Sequence, residues 1–172
     1  MYNPAMPPYV NHHTGTDRVV EHIERHWCPT FTSGTFLDGR EYRFPDDVRP
    51  HVVIVQGEEE YKTAETLPVF AREHLGKDYR VSFVWLDETT KDRFPGIEVV
   101  DDADVLLVSV RRRPIPAEEL ARIRAHVAAG RPVLGIRTAS HAFHLRDKRP
   151  PEGLADWPDI DAALFGGSYS NH

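Results

Sequence analysis

The chain has 172 residues, 40 % hydrophobic and 28 % charged, with a formal net charge of -6. That balance fits one folded domain with a substantial core, while the acidic surplus argues against nucleic acid or an anionic membrane surface as partner. No apolar run is long enough to span a bilayer, Met1 to Val10 lacks the basic and apolar stretches of a secretory signal, and the single Cys28 permits no internal disulfide; the expected location is cytoplasmic.

Residues 1–49 read as an irregular arm. Asp17 to Trp27 fits a short helix with Val19, Val20, Ile23 and Trp27 on one face, Asp17 as its cap and Pro29 as its stop. Thr30 to Pro45 sets turn residues among Phe31, Phe36, Tyr42 and Phe44, whose rings would pin the arm to the domain. The regular domain, residues 50–172, opens with His51-Val-Val-Ile-Val-Gln56, a β-branched run apolar on both faces, as a covered parallel sheet requires. Gly57 breaks it. A helix is predicted from about Glu65 to Leu75, with Pro68 in its first turn and Gly76 as its stop. Tyr79 to Leu86 and Asp104 to Val110 read as the next strands.

Pro116, Glu118 and Glu119 mark the start of a second helix, Leu120, Ile123 and Val127 its buried stripe, and Gly130 its end. Pro132 to Ile136 is a fourth strand, and Thr138 is placed to cap a further helix. Alternation of strands and helices predicts right-handed crossovers and an α/β fold: a flavodoxin-like, doubly wound parallel sheet in three layers.

Ligands of such sheets bind beyond the carboxyl ends of the strands. Those ends deliver Gln56, Gly57, Glu58, Glu60 and Tyr61, then Ser109 and Arg111 to Arg113, then Gly135, Arg137, Thr138, Ser140 and His141. Arginine forks beside carboxylates and a histidine suit a polyhydroxylated or anionic small molecule. Each feature also has a plainer reading: Gly57 as a turn, the glutamates as a solvated loop, all but one of the three arginines as partners of Glu118, Glu119 or solvent, and Arg137 as an ion-pair partner of Glu58 or Glu60. His141 and His144 have metal-like spacing, but no clear carboxylate third ligand accompanies them, so no metal or other cofactor is expected. The junction Gly135-Ile-Arg137 has the form of a nucleophile elbow. Arginine stays protonated and cannot be the nucleophile.

Several segments resemble the ThuA-like (trehalose utilisation) family, whose fold is that of class I glutamine amidotransferases. They are His51 to Gly57, Ala103 to Ser109, Leu120 to Gly130, Pro132-Val-Leu-Gly-Ile-Arg-Thr-Ala-Ser-His-Ala-Phe143 and Gly166-Gly-Ser-Tyr-Ser-Asn-His172. The resemblance implies a bacterial, sugar-linked role. The family's amidotransferase cousins carry cysteine at the elbow and many ThuA-like proteins carry histidine, so Arg137 excludes glutaminase activity. Family domains continue beyond the Gly-Gly-aromatic-His motif, which makes this chain a shortened domain, a fragment, or a variant that completes its sheet with a partner. Self-association into a homo-oligomer is therefore expected, unless the arm covers the open edge.

The expected function is to act on or bind a carbohydrate or related small polar molecule. Gly57, Glu58, Arg111, Arg137 and Thr138 would form the ligand site, and His141 or His172 would be the acid/base group if there is catalysis. The alternative is a non-catalytic binding or regulatory domain that keeps the fold.

Overall fold

The computed structural model describes residues 35–37, 40–42, 49–75 and 78–169. The sequence expectations for Asp17–Trp27, Cys28, Gly76 and His172 fall outside those residues. Within the predicted arm, strand β1 (Thr35–Leu37) pairs antiparallel with β2 (Arg40–Tyr42).

The domain is mixed α/β around a parallel sheet of four strands. These are β3 (His51–Gly57), β4 (Arg80–Trp85), β5 (Val105–Val110) and the later β7 (Val133–Gly135), in the order β4-β3-β5-β7. All three pairings are parallel. The first strand in sequence lies inside the sheet with the second and third on either side, an order consistent with a flavodoxin-like α/β fold.

Every residue of β3 is buried, which explains its unbroken apolar run. Because side chains alternate across a strand, Val53 and Val55 enter one core and Val52 and Ile54 the other. The Val52 core includes Val81, Phe83 and Trp85 and is covered by Leu67 of helix α1 (Thr63–Phe70). The larger core takes Leu106, Val108, Phe143 and Trp157. It is covered by Leu120 and Ile123 of helix α2 (Ala117–Ala128) and by the 3-10 turn Ile97–Asp102. Burying each such side chain contributes about 1.5–3 kcal/mol before the entropy cost of ordering it.

Helix α2 follows its sequence signals. Pro116 is the N-cap, and Gly130, at φ 71°, ends the helix in the left-handed conformation that glycine favours. Glu119 goes beyond a dipole role: it is buried and accepts the Phe94 N–H at 2.7 Å. Burial pushes its carboxyl above the usual range, partly offset by that hydrogen bond and by Arg93. Phe94 in turn explains Gly57. A Cβ at Gly57 would come within 2.7 Å of the Phe94 ring, so the glycine permits close approach, and it ends the strand from within.

Helix α1 differs from expectation. It begins at Thr63, so buried Pro68 lies inside it and not in the first turn. A proline there cannot bond the carbonyl one turn back, and the chain widens into a π-helical turn over Ala71–Leu75. Two further strands, β6 (Ile115–Pro116) and β8 (Leu154–Ala155), form a short antiparallel pair that the sequence did not signal. The sheet ends at β7, where Leu134 is 55 % exposed.

At the amino end of the sheet, buried His51 joins three segments. Its Nε2 lies 2.8 Å from Ser82 Oγ, and its Nδ1 lies 3.2 Å from the Asp102 carbonyl and 3.3 Å from Asp102 Oδ2. Burial, aided by the Arg80 charge, holds the imidazole below its ordinary value of 6.5, with Asp102 pulling the other way. The unfolded chain therefore binds the proton more readily than the folded one. This contribution is fully present above about pH 6.5 and is lost as pH falls towards the lowered folded value. In urea unfolding at a series of pH values, His51→Gln should be less stable at pH 7.5, and the gap to the parent should narrow on acidification to pH 5.

Candidate functional site

The carboxyl rim begins at Glu58, the residue after β3. Its side chain is 1 % exposed, and both oxygens are used. Oε2 accepts the N–H groups of Glu60 and Tyr61, each at 2.8 Å, and Oε1 accepts the Thr63 N–H at 3.0 Å and the Thr63 hydroxyl. Gln56 Nε2 donates to the Glu58 carbonyl at 2.7 Å and to Thr63 Oγ1 at 3.3 Å, and Ser109 Oγ donates to Thr63 Oγ1 at 3.0 Å. Burial opposes ionisation of Glu58, but the Thr63 hydroxyl and the three N–H groups outweigh it and hold the carboxyl below its usual range. The acid thus binds its own loop and satisfies the first turn of α1, where Lys62 provides no side-chain cap.

That loop presents Glu60 and Tyr61 outward. Arg111 Nε lies 2.8 Å from Glu60 Oε2, and the Arg137 guanidinium sits 4.8 Å from the centre of the Tyr61 ring. Arg137 rests on an aromatic face, while the carboxylates of Glu58 and Glu60 are engaged elsewhere. Arg112 and Arg113 donate their backbone N–H groups to the carbonyls of His141 and Ala142 at 3.1 and 2.8 Å, and Thr138 Oγ1 donates to the Val110 carbonyl at 2.9 Å. Thr138 therefore ties a 3-10 turn, Arg137–His141, to the end of β5; it does not cap a helix.

His141 is buried, 3.1 Å from Ser140 Oγ through Nδ1, and stacks on Tyr169 with ring centres 4.5 Å apart. The Gly166-Gly167 motif sets that stack. Gly166 takes φ 64°, and the Tyr169 N–H donates to Asp161 Oδ2 at 2.6 Å. His144 turns to Asp156, with Nδ1 3.2 Å from Oδ2. Among the described residues no three His, Cys, Asp or Glu side chains gather as metal ligands would.

A cleft of about 560 Å³ opens on this rim. Arg111, Arg112, Arg146 and Lys148 line it together with Glu60, Asp147 and Tyr169. Of the sequence-predicted ligand residues, Arg111 is in the wall. Glu58 and Thr138 lie in the structure beneath, Gly57 packs on Phe94, Arg137 stacks on Tyr61, and His141 stacks on Tyr169, which lines the cleft. Sequence reasoning missed Arg146 and Lys148, although the run Arg146-Asp-Lys-Arg149 is a visible basic signal.

Backbone conformation adds a pattern. Among the described residues, five other than glycine have positive φ: Lys62, Lys91, Arg112, Arg137 and Arg146, at 55°, 59°, 50°, 53° and 62°. All are basic, and they occupy five different loops, four of which leave a strand of the parallel sheet at its carboxyl end. A left-handed residue other than glycine costs about 1–2 kcal/mol. Such strain concentrates at functional sites.

At the opposite edge, Ser82, His51 and Asp102 have the order of a charge relay. Ser82 and His51 are 2 % and 0 % exposed, so the serine is closed to substrate.

No protein-family model, curated protein or solved structure matches this chain.

Two stability outcomes follow. Arg137→Met keeps the strain and loses the ring contact, a loss of about 0.5–1 kcal/mol, whereas Arg137→Gly relieves the strain. In chemical denaturation the glycine variant should be the more stable of the two; the reverse order would show that the turn is not strained. Glu58→Gln should lose about 2–3 kcal/mol at pH 7. That loss should shrink only as pH falls below the ordinary carboxyl value of 4.5 towards the lowered one, because protonation then costs the parent the same interactions.

Proposed function

We propose that this chain is a ThuA-like binding domain with the flavodoxin-like, class I glutamine amidotransferase-like sheet. Its ligand is a small sugar-like anion, such as a sugar phosphate or sugar acid. The observation that carries the reading is the cleft at the carboxyl rim, where four cations face two carboxylates. Guanidinium forks match the paired oxygens of phosphate and carboxylate. Glu60 occupies Arg111 through an exposed pair worth little on its own, so a ligand oxygen can replace it at small cost.

Binding is favoured over chemistry at this rim by three particulars. The elbow residue is Arg137, which can orient or neutralise but not attack. Glu58 is spent on its own loop. His141 lies behind Tyr169 and touches Ser140.

The test is calorimetry with glucose 6-phosphate, gluconate and glucose. The two anions should bind and neutral glucose should bind far more weakly, with affinity falling as salt rises. Arg111→Gln and Lys148→Gln should each lower anion affinity about tenfold or more while leaving the melting temperature almost unchanged, since both side chains are largely solvent-exposed. Absence of anion binding by the parent chain would overturn the reading.

A further inference from the structure

The cleft does not end at Arg112. A second cleft of about 390 Å³ lies beyond it, lined by Lys91, Asp92, Arg112, Arg113, Leu145 and Glu152 among others. Arg112 and Leu145 line both clefts. The second has its own cations. Lys91 Nζ lies 2.7 Å from one oxygen of Glu59, and Arg113 Nη2 lies 3.3 Å from the other. Glu59 is itself exposed, and its carboxyl is held below the usual range first by the Lys91 hydrogen bond and then by the charges of Lys91 and Arg113.

One donor in this group is unused. The Nε–H of Arg113 is buried and has no hydrogen-bond partner among the described residues. A buried guanidinium N–H without an acceptor is rare and calls for an explanation. The rest of the guanidinium is part-exposed, and an oxyanion in the second cleft would meet the Nη2 group that now serves Glu59. The backbone agrees with a groove spanning both clefts. Lys91 belongs to the second cleft, Arg146 to the first and Arg112 to both, and each holds the left-handed conformation in a separate loop.

We infer that the two clefts form one groove for an elongated ligand carrying two anionic groups, one on the Arg111 side and the other held by Lys91 and Arg113. The inference rests on the reading of the first cleft as an anion site and adds the second anionic group. Without ligand, Glu59 neutralises Lys91 and Arg113. With ligand, the second anionic group competes with Glu59 for the same two cations.

Glucose 6-phosphate and glucose 1,6-bisphosphate separate the two ideas in one calorimetric series. The bisphosphate should bind the parent at least about tenfold tighter than the monophosphate. Lys91→Gln, a change at an exposed side chain, should remove most of that advantage and leave monophosphate affinity unaltered. Glu59→Gln should act in the opposite direction, raising bisphosphate affinity alone because it frees both cations. A merely structural role for the Glu59 cluster would not produce that gain. Monophosphate binding with no bisphosphate advantage, or an advantage that survives Lys91→Gln, overturns this inference and leaves the first cleft standing. Failure of both probes to bind the parent overturns both readings.

Discussion

The arrangement of the carboxyl rim depends on one buried carboxylate. Glu58 has left water, a transfer that is costly for an ion unless every lone pair is met. Here three backbone N–H groups and a hydroxyl converge on it within five residues of chain. The same hydroxyl accepts from Gln56 on β3 and Ser109 on β5, so the charge is locked to two neighbouring strands. A loop fixed in this way holds Tyr61 under Arg137 and Glu60 against Arg111. The acid contributes to the rim by setting the positions of side chains that it does not touch.

Much of the fold was legible because burial on both faces leaves a plain signature. β3 and β5 carry the apolar runs at residues 52–55 and 105–108 since helices cover each side of the sheet, and α2 carries both of its end signals in its own residues. The start of α1 was hidden for the opposite reason. Its first turn is satisfied by a residue upstream of the cap position, and no local pattern announces that. β6 and β8 are too short, and too rich in proline at Ile115–Pro116, to read as strands. His51 and its partners were invisible in sequence because Ser82 and Asp102 stand 31 and 51 positions away.

The rim was legible as chemistry more than as geometry. Strand ends named the right loops, and Arg111 and Arg112 do line the cleft. Sequence position could not say that Glu58 turns inward, that His141 is covered by Tyr169, or that Thr138 bonds the Val110 carbonyl. Direction along a turn is set by φ and ψ, and at Arg112, Arg137 and Arg146 these are values a residue-by-residue reading assigns to glycine or asparagine.

Those left-handed cations also reconcile the chain's overall charge with the proposed anionic ligand. A net charge of -6 repels an anion at long range, but screening confines that repulsion to about 8–10 Å in physiological salt. Within the clefts the local balance is reversed. Each of the five positions could be glycine at lower conformational cost, since glycine enters the left-handed region freely. Keeping a long cationic side chain at all five gives up stability in five separate loops. Nothing in the packing of the cores requires it, because those cores are built from Val53, Ile54, Leu106, Ile123 and their neighbours. What the five positions share is their charge and their place in the loops around the rim, and a cation at such a place gains most when an anion takes water's role beside it.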